Sequence, residues 1–447
     1  MENLLAARLQ MAISLGFHMV FAALGIGLPL MMLVAEGLWL RRGRQVYLDL
    51  ARKWAKATGI LFAIGAVSGT ALSFELGLLW PPFMQFAGPI IGPAFALEGY
   101  AFFIEAIFLG LYLYGWDRLK PRAHWLCGIP VALSGAASGV LVMSANSWMQ
   151  DPVGFRVQNG APVDIDPVAA LVNPSWGVLA VHLILASYMA TAFLVAAVYA
   201  WGMLRGRRDT YHKTGLALPM VLGVLTALAQ PVSGDFAARL VHSTQPVKLA
   251  AMESQFTTER GAPLRIGGIP DVKNRRVNFA IEIPGGLSFL ATHDFNAEIQ
   301  GLNNVPENLW PPVPLVHIAF QLMVGSGLAI LALALLYWLQ RWRKREQGRW
   351  LLRGLVLSGV LAVVAMEAGW IVTEVGRQPW IIYNVMLTAQ AVTPAPGVWV
   401  TFTGFVLLYV LLAVTMVWLL LRLATGRPVE GEGEPTGGKE ERGVATT

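Results

Sequence analysis

The chain is 447 residues long, 55% hydrophobic and only 13% charged, with a mean hydropathy of +0.56. That balance excludes an ordinary soluble domain, because repeated apolar runs of about 20 residues are the length a helix needs to cross a bilayer. The formal net charge of +6 is not a nucleic-acid signal, since Lys and Arg sit in short clusters between apolar runs; the single cysteine, Cys127, excludes an internal disulfide or a cysteine-built metal site.

In chain order the runs predict an all-α integral membrane protein with nine transmembrane helices, at 12–39, 55–79, 94–116, 125–148, 175–203, 215–236, 313–340, 353–375 and 397–422. Glu2 and Arg8 precede the first run, which is too long for the apolar core of a cleaved leader, so it is expected to remain as a span. Basic loops follow the first span (Arg41, Arg42, Arg44), the third (Arg118, Lys120, Arg122), the fifth (Arg205, Arg207, Arg208) and the seventh (Arg341, Arg343, Lys344). The intervening short loops carry almost no Lys or Arg. The positive-inside rule therefore places the N-terminus outside and the C-terminus in the cytoplasm. Four regions result: spans one to six over 1–236, a polar outer connection over 237–312, spans seven to nine over 313–422, and a tail over 423–447. The outer connection is too long for a mere linker. The tail is rich in Gly and Glu and is expected to be disordered.

Topology then fixes depth. His18 enters the first span from outside, His182 the fifth and Met323 the seventh, while Glu374 leaves the eighth toward the outside. At about 1.5 Å per residue, all four fall in the outer third to half of the bilayer. Each has a plainer reading alone: a hydrogen-bonded core histidine, a core methionine, a helix-end carboxylate paired with Arg377. Together they match haem chemistry. A His/Met pair fills both axial positions of an electron-transfer haem, and a lone histidine or carboxylate leaves one open for oxygen. His317, at the mouth of the seventh span, reads as interfacial. Phe17, Phe21, Trp370 and Trp380 are aromatic candidates for packing a macrocycle or simply the core.

Glu98 and Glu105 are seven residues apart on the third span, which puts them on one helix face about 10 Å apart. Two stacked acids suggest a proton relay, or two acids bound separately to neighbouring helices. In the outer connection, Lys248 and Glu253 taken alone read as ordinary surface charges.

The chain resembles subunit I of the cytochrome bd-type quinol oxidases, of the kind with a short outer quinol-binding loop, or Q-loop. The resemblance covers almost the whole sequence. Its marks are Gly376–Trp380 (GRQPW), Glu367–Trp370 (EAGW), Ala145–Gly154 (ANSWMQDPVG), Phe95–Gly99 (FALEG), Gly115–Leu119 (GWDRL) and Lys248–Glu253 (KLAAME). It implies His182 and Met323 as axial ligands of a low-spin haem b. It implies His18 and Glu374 as ligands of a high-spin haem b and a haem d, leaving open which holds which and whether a haem b replaces haem d. By the same resemblance, Glu98 and Glu105 are the catalytic acids of a cytoplasmic proton route, and Lys248 and Glu253 bind quinol. Arg377, Trp370 and Asn146 would surround the haems. Gln321 stands where some members have arginine. The implied protein is a bacterial inner (plasma) membrane oxidase passing electrons from quinol to oxygen without proton pumping. Its implied partners are a second large membrane subunit and a small single-helix one. Two rivals remain. A transporter would show inverted repeats, and none is evident. A two-haem b electron-transfer subunit would favour paired histidines on shared helices.

Overall fold

The computed structural model describes residues 2–425; the expected disorder of the tail falls on residues outside these, apart from 423–425. The helices in order are α1 (Glu2–Arg42), α2 (Gln45–Leu79), α3 (Pro81–Tyr114), α4 (Pro121–Gln150), α5 (Pro167–Leu171), α6 (Trp176–Leu204) and α7 (Thr210–Thr244). After these come α8 (Pro246–Glu253), α9 (Gly286–Thr292), α10 (Val313–Trp342), α11 (Arg349–Val375), α12 (Thr388–Ala391) and α13 (Val398–Thr425). Nine stretches among the described residues are long and apolar enough to cross a membrane, as the hydropathy pattern predicts. Most run longer than their apolar runs. Helical hydrogen bonding continues past the hydrocarbon into amphipathic ends such as Glu2–Met11 and Gln45–Trp54. Proline opens α3, α4 and α8 at the first helical turn, where the missing N–H is an orphan anyway.

α1 and α6 form the middle of the bundle. α1 packs on α2, α4, α6 and α13, and α6 packs on α7, α11 and α4. α13 leans mainly on α1 and α2 among the long helices. Small residues permit the close crossings, as membrane helices require without a hydrophobic drive between them. At the α1–α6 crossing a side chain on Gly27 would collide with Thr191, whose hydroxyl donates to the Ala23 carbonyl at 3.0 Å.

One end of the bundle carries the tight basic turns. There Arg52 meets Asp117 at 3.7 Å, and Glu346 ties Arg208 to Lys213. Just inside this end, buried Glu36 accepts from Tyr112 at 2.6 Å and meets His124 at 2.7 Å. The opposite end is capped by three connections. One holds the ribbon Arg156–Gln158 with Ala161–Val163. The second, after α7, holds α8, α9 and short two-stranded ribbons. The third folds Trp380–Ile382 against Met386–Leu387. It is sewn to the helices through Tyr383 N–H to the Met149 carbonyl (3.0 Å) and Thr393 N–H to the Leu79 carbonyl (2.9 Å).

The Gly27 crossing makes a prediction. Gly27→Val overfills the α1–α6 contact and costs about 1–3 kcal/mol. The thermal unfolding midpoint in detergent falls, while Gly404→Val, which has open space around it, leaves it unchanged. Equal midpoints for both variants would contradict this packing.

Candidate functional site

The two span histidines are built alike. His18 Nδ1 lies 3.0 Å from the Ser68 hydroxyl of α2, and His182 Nδ1 lies 2.8 Å from the Ser233 hydroxyl of α7. In each case a buried serine meets the ring through Nδ1, so a metal held by either ring would sit at Nε2. His182 Nε2 lies 3.1 Å from the Gln230 side-chain nitrogen, which would have to give way to a metal there. Close backbone approach is required at His18, where a Cβ on Gly69 would stand 2.9 Å from Cε1; at His182 a Cβ on Gly234 would make an ordinary contact of 3.8 Å with Cε1.

His182 and Met323 line one cavity of about 900 Å³, enclosed by α6, α7, α8, α10 and α11 with the outer connection above. That is near the upper end for small-molecule sites, which run roughly 300–1,000 Å³. Gly369 and Trp370 form part of its α11 wall, and a Cβ on Gly369 would be 3.2 Å from Met323 Sδ. The cavity therefore offers an imidazole, a thioether and an apolar wall, the donor set of a six-coordinate haem. Among the described residues no three His, Cys, Asp or Glu side chains gather as a bare ion would need. Solitary ligands suit an iron whose remaining positions are filled by macrocycle nitrogens.

Glu374 ends α11 about five residues, or roughly 8 Å, beyond the Met323 level. Its carboxylate accepts from Asn146 at 2.6 Å and from Arg377 at 2.6 Å. So the helix-end pair with Arg377 forms, and Asn146 joins it. A carboxylate has further lone pairs, so ligation remains open to it. Arg377 is 3% exposed, and its Nε and Nη1 have no partner. Burial works against its charge and Glu374 supports it. Two unpaired guanidinium donors are costly in such a place, and they fit an acidic substituent of a bound macrocycle.

Lys248 sits under this pair. Its ammonium donates to Gln150 Oε1 at 2.9 Å and to the Thr373 carbonyl at 3.0 Å. Burial, followed by the Arg377 charge, pushes it down to about 7, with Glu374 opposing. Glu253, five residues on in α8, is 3% exposed and lines the large cavity, with its Oε2 unpartnered. Burial pushes this carboxyl up to about 8, and the Arg265 charge pulls the other way. The two α8 residues are thus not a contact pair: Lys248 bonds to Gln150 and the Thr373 carbonyl next to Glu374, whereas Glu253 faces the large cavity that Arg265 also lines.

Glu98 and Glu105 both face α4. Glu98 accepts from the Ser138 hydroxyl at 3.2 Å, and a Cβ on Gly135 would stand 3.5 Å from both Glu105 oxygens. The same Cβ would be 3.0 Å from the Gly25 carbonyl, which places Glu105 about two turns deeper than His18 along α1. Glu98 lies two turns up from Glu105, level with His18.

His317 is not interfacial. It is fully buried, with Nδ1 2.8 Å from the Met252 carbonyl and Nε2 3.1 Å from the Gly267 carbonyl, because the outer connection folds down over α10. Phe17 packs at a tilt against Phe21 and against Tyr409 of α13. Residues not singled out from sequence include Ser68, Ser233, Gln230 and Arg265. Two further span carboxylates also appear. Glu75 accepts from Ser14 (2.7 Å) and Gln10 (3.1 Å), and Glu367 lies against Gly16. Glu367 had a signal, its place in the EAGW motif; the others are ordinary residues until their partner helix is known.

Comparison with known proteins gives the family of this fold. Residues 6–428 match the sequence model described as "Cytochrome bd terminal oxidase subunit I". The chain is similar to the structure of bd oxidase from Geobacillus thermodenitrificans, with a TM-score of 0.91 and 38% identity over 95% of this chain and 99% of that one. It is 34% identical to cytochrome bd ubiquinol oxidase subunit 1 of Bacillus subtilis (strain 168), over 94% of this chain and 93% of that protein. It is 30% identical to cytochrome bd-II ubiquinol oxidase subunit 1 of Escherichia coli (strain K12), over 94% and 95%. With its nine spans, this is a multi-pass protein of the bacterial plasma membrane, and the chain belongs to the cytochrome bd terminal oxidase subunit I family.

Proposed function

We propose that this chain is the haem-carrying subunit of a respiratory quinol oxidase that oxidises quinol at the outer face and reduces oxygen to water with cytoplasmic protons. The observation that carries this reading is one shared cavity. It holds the His182 and Met323 donors in its membrane part and the buried Glu253 carboxylate under the outer connection. Substrate and first electron acceptor would share one enclosure.

Held by His182 and Met323, by His18 and by Glu374, two haems b and one haem d, or a third haem b in its place, would supply electron transfer and an open iron for oxygen. The chain's own residues do the rest. Ser233 and Ser68 orient the ligand imidazoles. Trp370 and the Gly369 backbone shape the apolar wall. Arg377 and Asn146 hold the Glu374 carboxylate, and the free Arg377 donors would anchor a propionate. Lys248, locked to Gln150 and Thr373, carries α8 against the end of α11, and so couples the quinol loop to the Glu374 group. Glu253 accepts a proton from the quinol hydroxyl as the electrons leave, and releases it to the outside. Glu105 and then Glu98, facing the small α4 residues, deliver protons from the cytoplasmic side toward His18. With the basic turns inside, release and uptake on opposite faces separate charge without a pump. The partners are a second large membrane subunit and a small single-helix subunit. Exposed Tyr100, Phe103 and Ile107 on α3 suit lipid or such a neighbour.

Two outcomes test this. His182→Ala removes the low-spin haem b absorbance and leaves the other haem bands; retention of that absorbance would rule out His182 as its ligand. Glu253 accepts a proton only when ionised, and burial raises its pKa to about 8. Quinol oxidation therefore speeds up as pH rises toward about 8. Glu253→Gln lowers the rate by tenfold or more, within the roughly 10²–10⁴ typical of a lost proton acceptor. It abolishes that pH limb and keeps the haem spectrum. Loss of the spectrum with the activity would make Glu253 structural.

A further inference from the structure

The ribbon Leu264–Ile266, paired with Ile281–Ile283, hangs over the cavity, and α10 grips it directly. Gln321 clamps its backbone from two sides. The side-chain Oε1 accepts from Gly267 N–H at 3.0 Å, and Nε2 donates to the Arg265 carbonyl at 3.0 Å. One turn earlier, His317 bridges the Gly267 carbonyl to the Met252 carbonyl beside Glu253. The clamp fixes where the Arg265 side chain goes. Its Nη1 donates to Gln255 Oε1 at 2.7 Å and its Nε to Glu282 Oε1 at 3.0 Å, and the side chain is only 15% exposed. Gln255 is itself held: its backbone N–H reaches the Ala250 carbonyl of α8 at 2.8 Å. A guanidinium with two fixed donors and little freedom is a pre-set charge, not a mobile surface arginine.

We propose that Arg265 is the electrostatic partner of Glu253 in the quinol site, and that Gln321 and His317 are the positioning residues that hold it there. The inference rests on the quinol-oxidising role of Glu253. When the quinol hydroxyl gives its proton to Glu253, the carboxylate must be ionised beforehand in a buried place, and a fixed cation favours that state. The other titratable groups on the cavity wall are His182, Asp235 and Lys248, with His317 behind Met252. Asp235 is paired with Arg239 at 2.8 Å, and Lys248 is tied to Gln150 and Thr373. Arg265 lines the same cavity as Glu253 and is held to Gln255, two residues along from Glu253, by its Nη1 while its Nε meets Glu282. The location of Gln321, two residues before Met323 on the same helix, also links the clamp to the wall that carries the thioether.

The test compares quinol oxidation against pH in the intact membrane complex for Arg265→Gln, Arg265→Lys, Gln321→Leu and Glu253→Gln, each first checked for an unchanged haem spectrum. Arg265→Gln moves the rising limb of the pH profile to higher pH by about one unit. Arg265→Lys restores it. Gln321→Leu raises the quinol KM more than it lowers kcat and shifts the limb in the same direction. A parental limb in both Arg265→Gln and Gln321→Leu, with Glu253→Gln impaired, would overturn this inference alone. Unimpaired Glu253→Gln would overturn the quinol-site reading beneath it.

Discussion

A charge or a strong hydrogen-bonding group inside a bilayer has to be paired or has to hold something, because hydrocarbon offers it no water. That constraint organises this protein. Near the basic end it is met within the chain: Glu36, Tyr112 and His124 satisfy one another and tie α1, α3 and α4. Toward the capped end it is met only in part. Arg377 keeps two buried donors without partners, and Glu253, Glu75, Glu367 and Gln230 each keep a buried oxygen without one. The half-satisfied groups gather where His18, His182, Met323 and Glu374 lie. Most of the described buried polar atoms left without a partner lie toward the capped end, the end suited to receive polar ligands.

The same logic relates the outer connection to the bundle. Its ribbons are short and would not be stable alone. They are held by side chains from the helices, Gln321 and His317 from α10 and Gln150 from α4, that reach backbone or side-chain groups of the connection. Arg265 and the Met252–Glu253 end of α8 are therefore tied to α10 through Gln321 and His317.

Much of this was legible in the sequence. Nine spans follow from apolar run length, and the histidines, Met323 and the acids stand out because such residues are rare in spans. The GRQPW and EAGW motifs carried the family. What was not legible is what depends on distant pairing. Ser68 and Ser233 sit 50 and 51 residues from the histidines they orient, on the neighbouring helix, and nothing local marks them. His317 reads as interfacial from its place at a helix mouth, because the sequence does not say that a loop 50 residues earlier folds over it. Arg265 is one of 33 Lys and Arg residues until its bonds to Gln255 and Glu282 are seen. Gln321 was visible as a departure from arginine, but its role as a clamp needed the ribbon above it.

The central claim is that the open polar groups serve several haems on solitary ligands rather than one metal cluster or an ion path. Haem quantification by pyridine haemochrome, with total iron, on the purified complex tests it most directly. The account predicts three haems for each copy of this chain, with iron in equal amount and no b-type signal beyond those sites. A preparation that turns over quinol yet contains one haem or none per chain would contradict it.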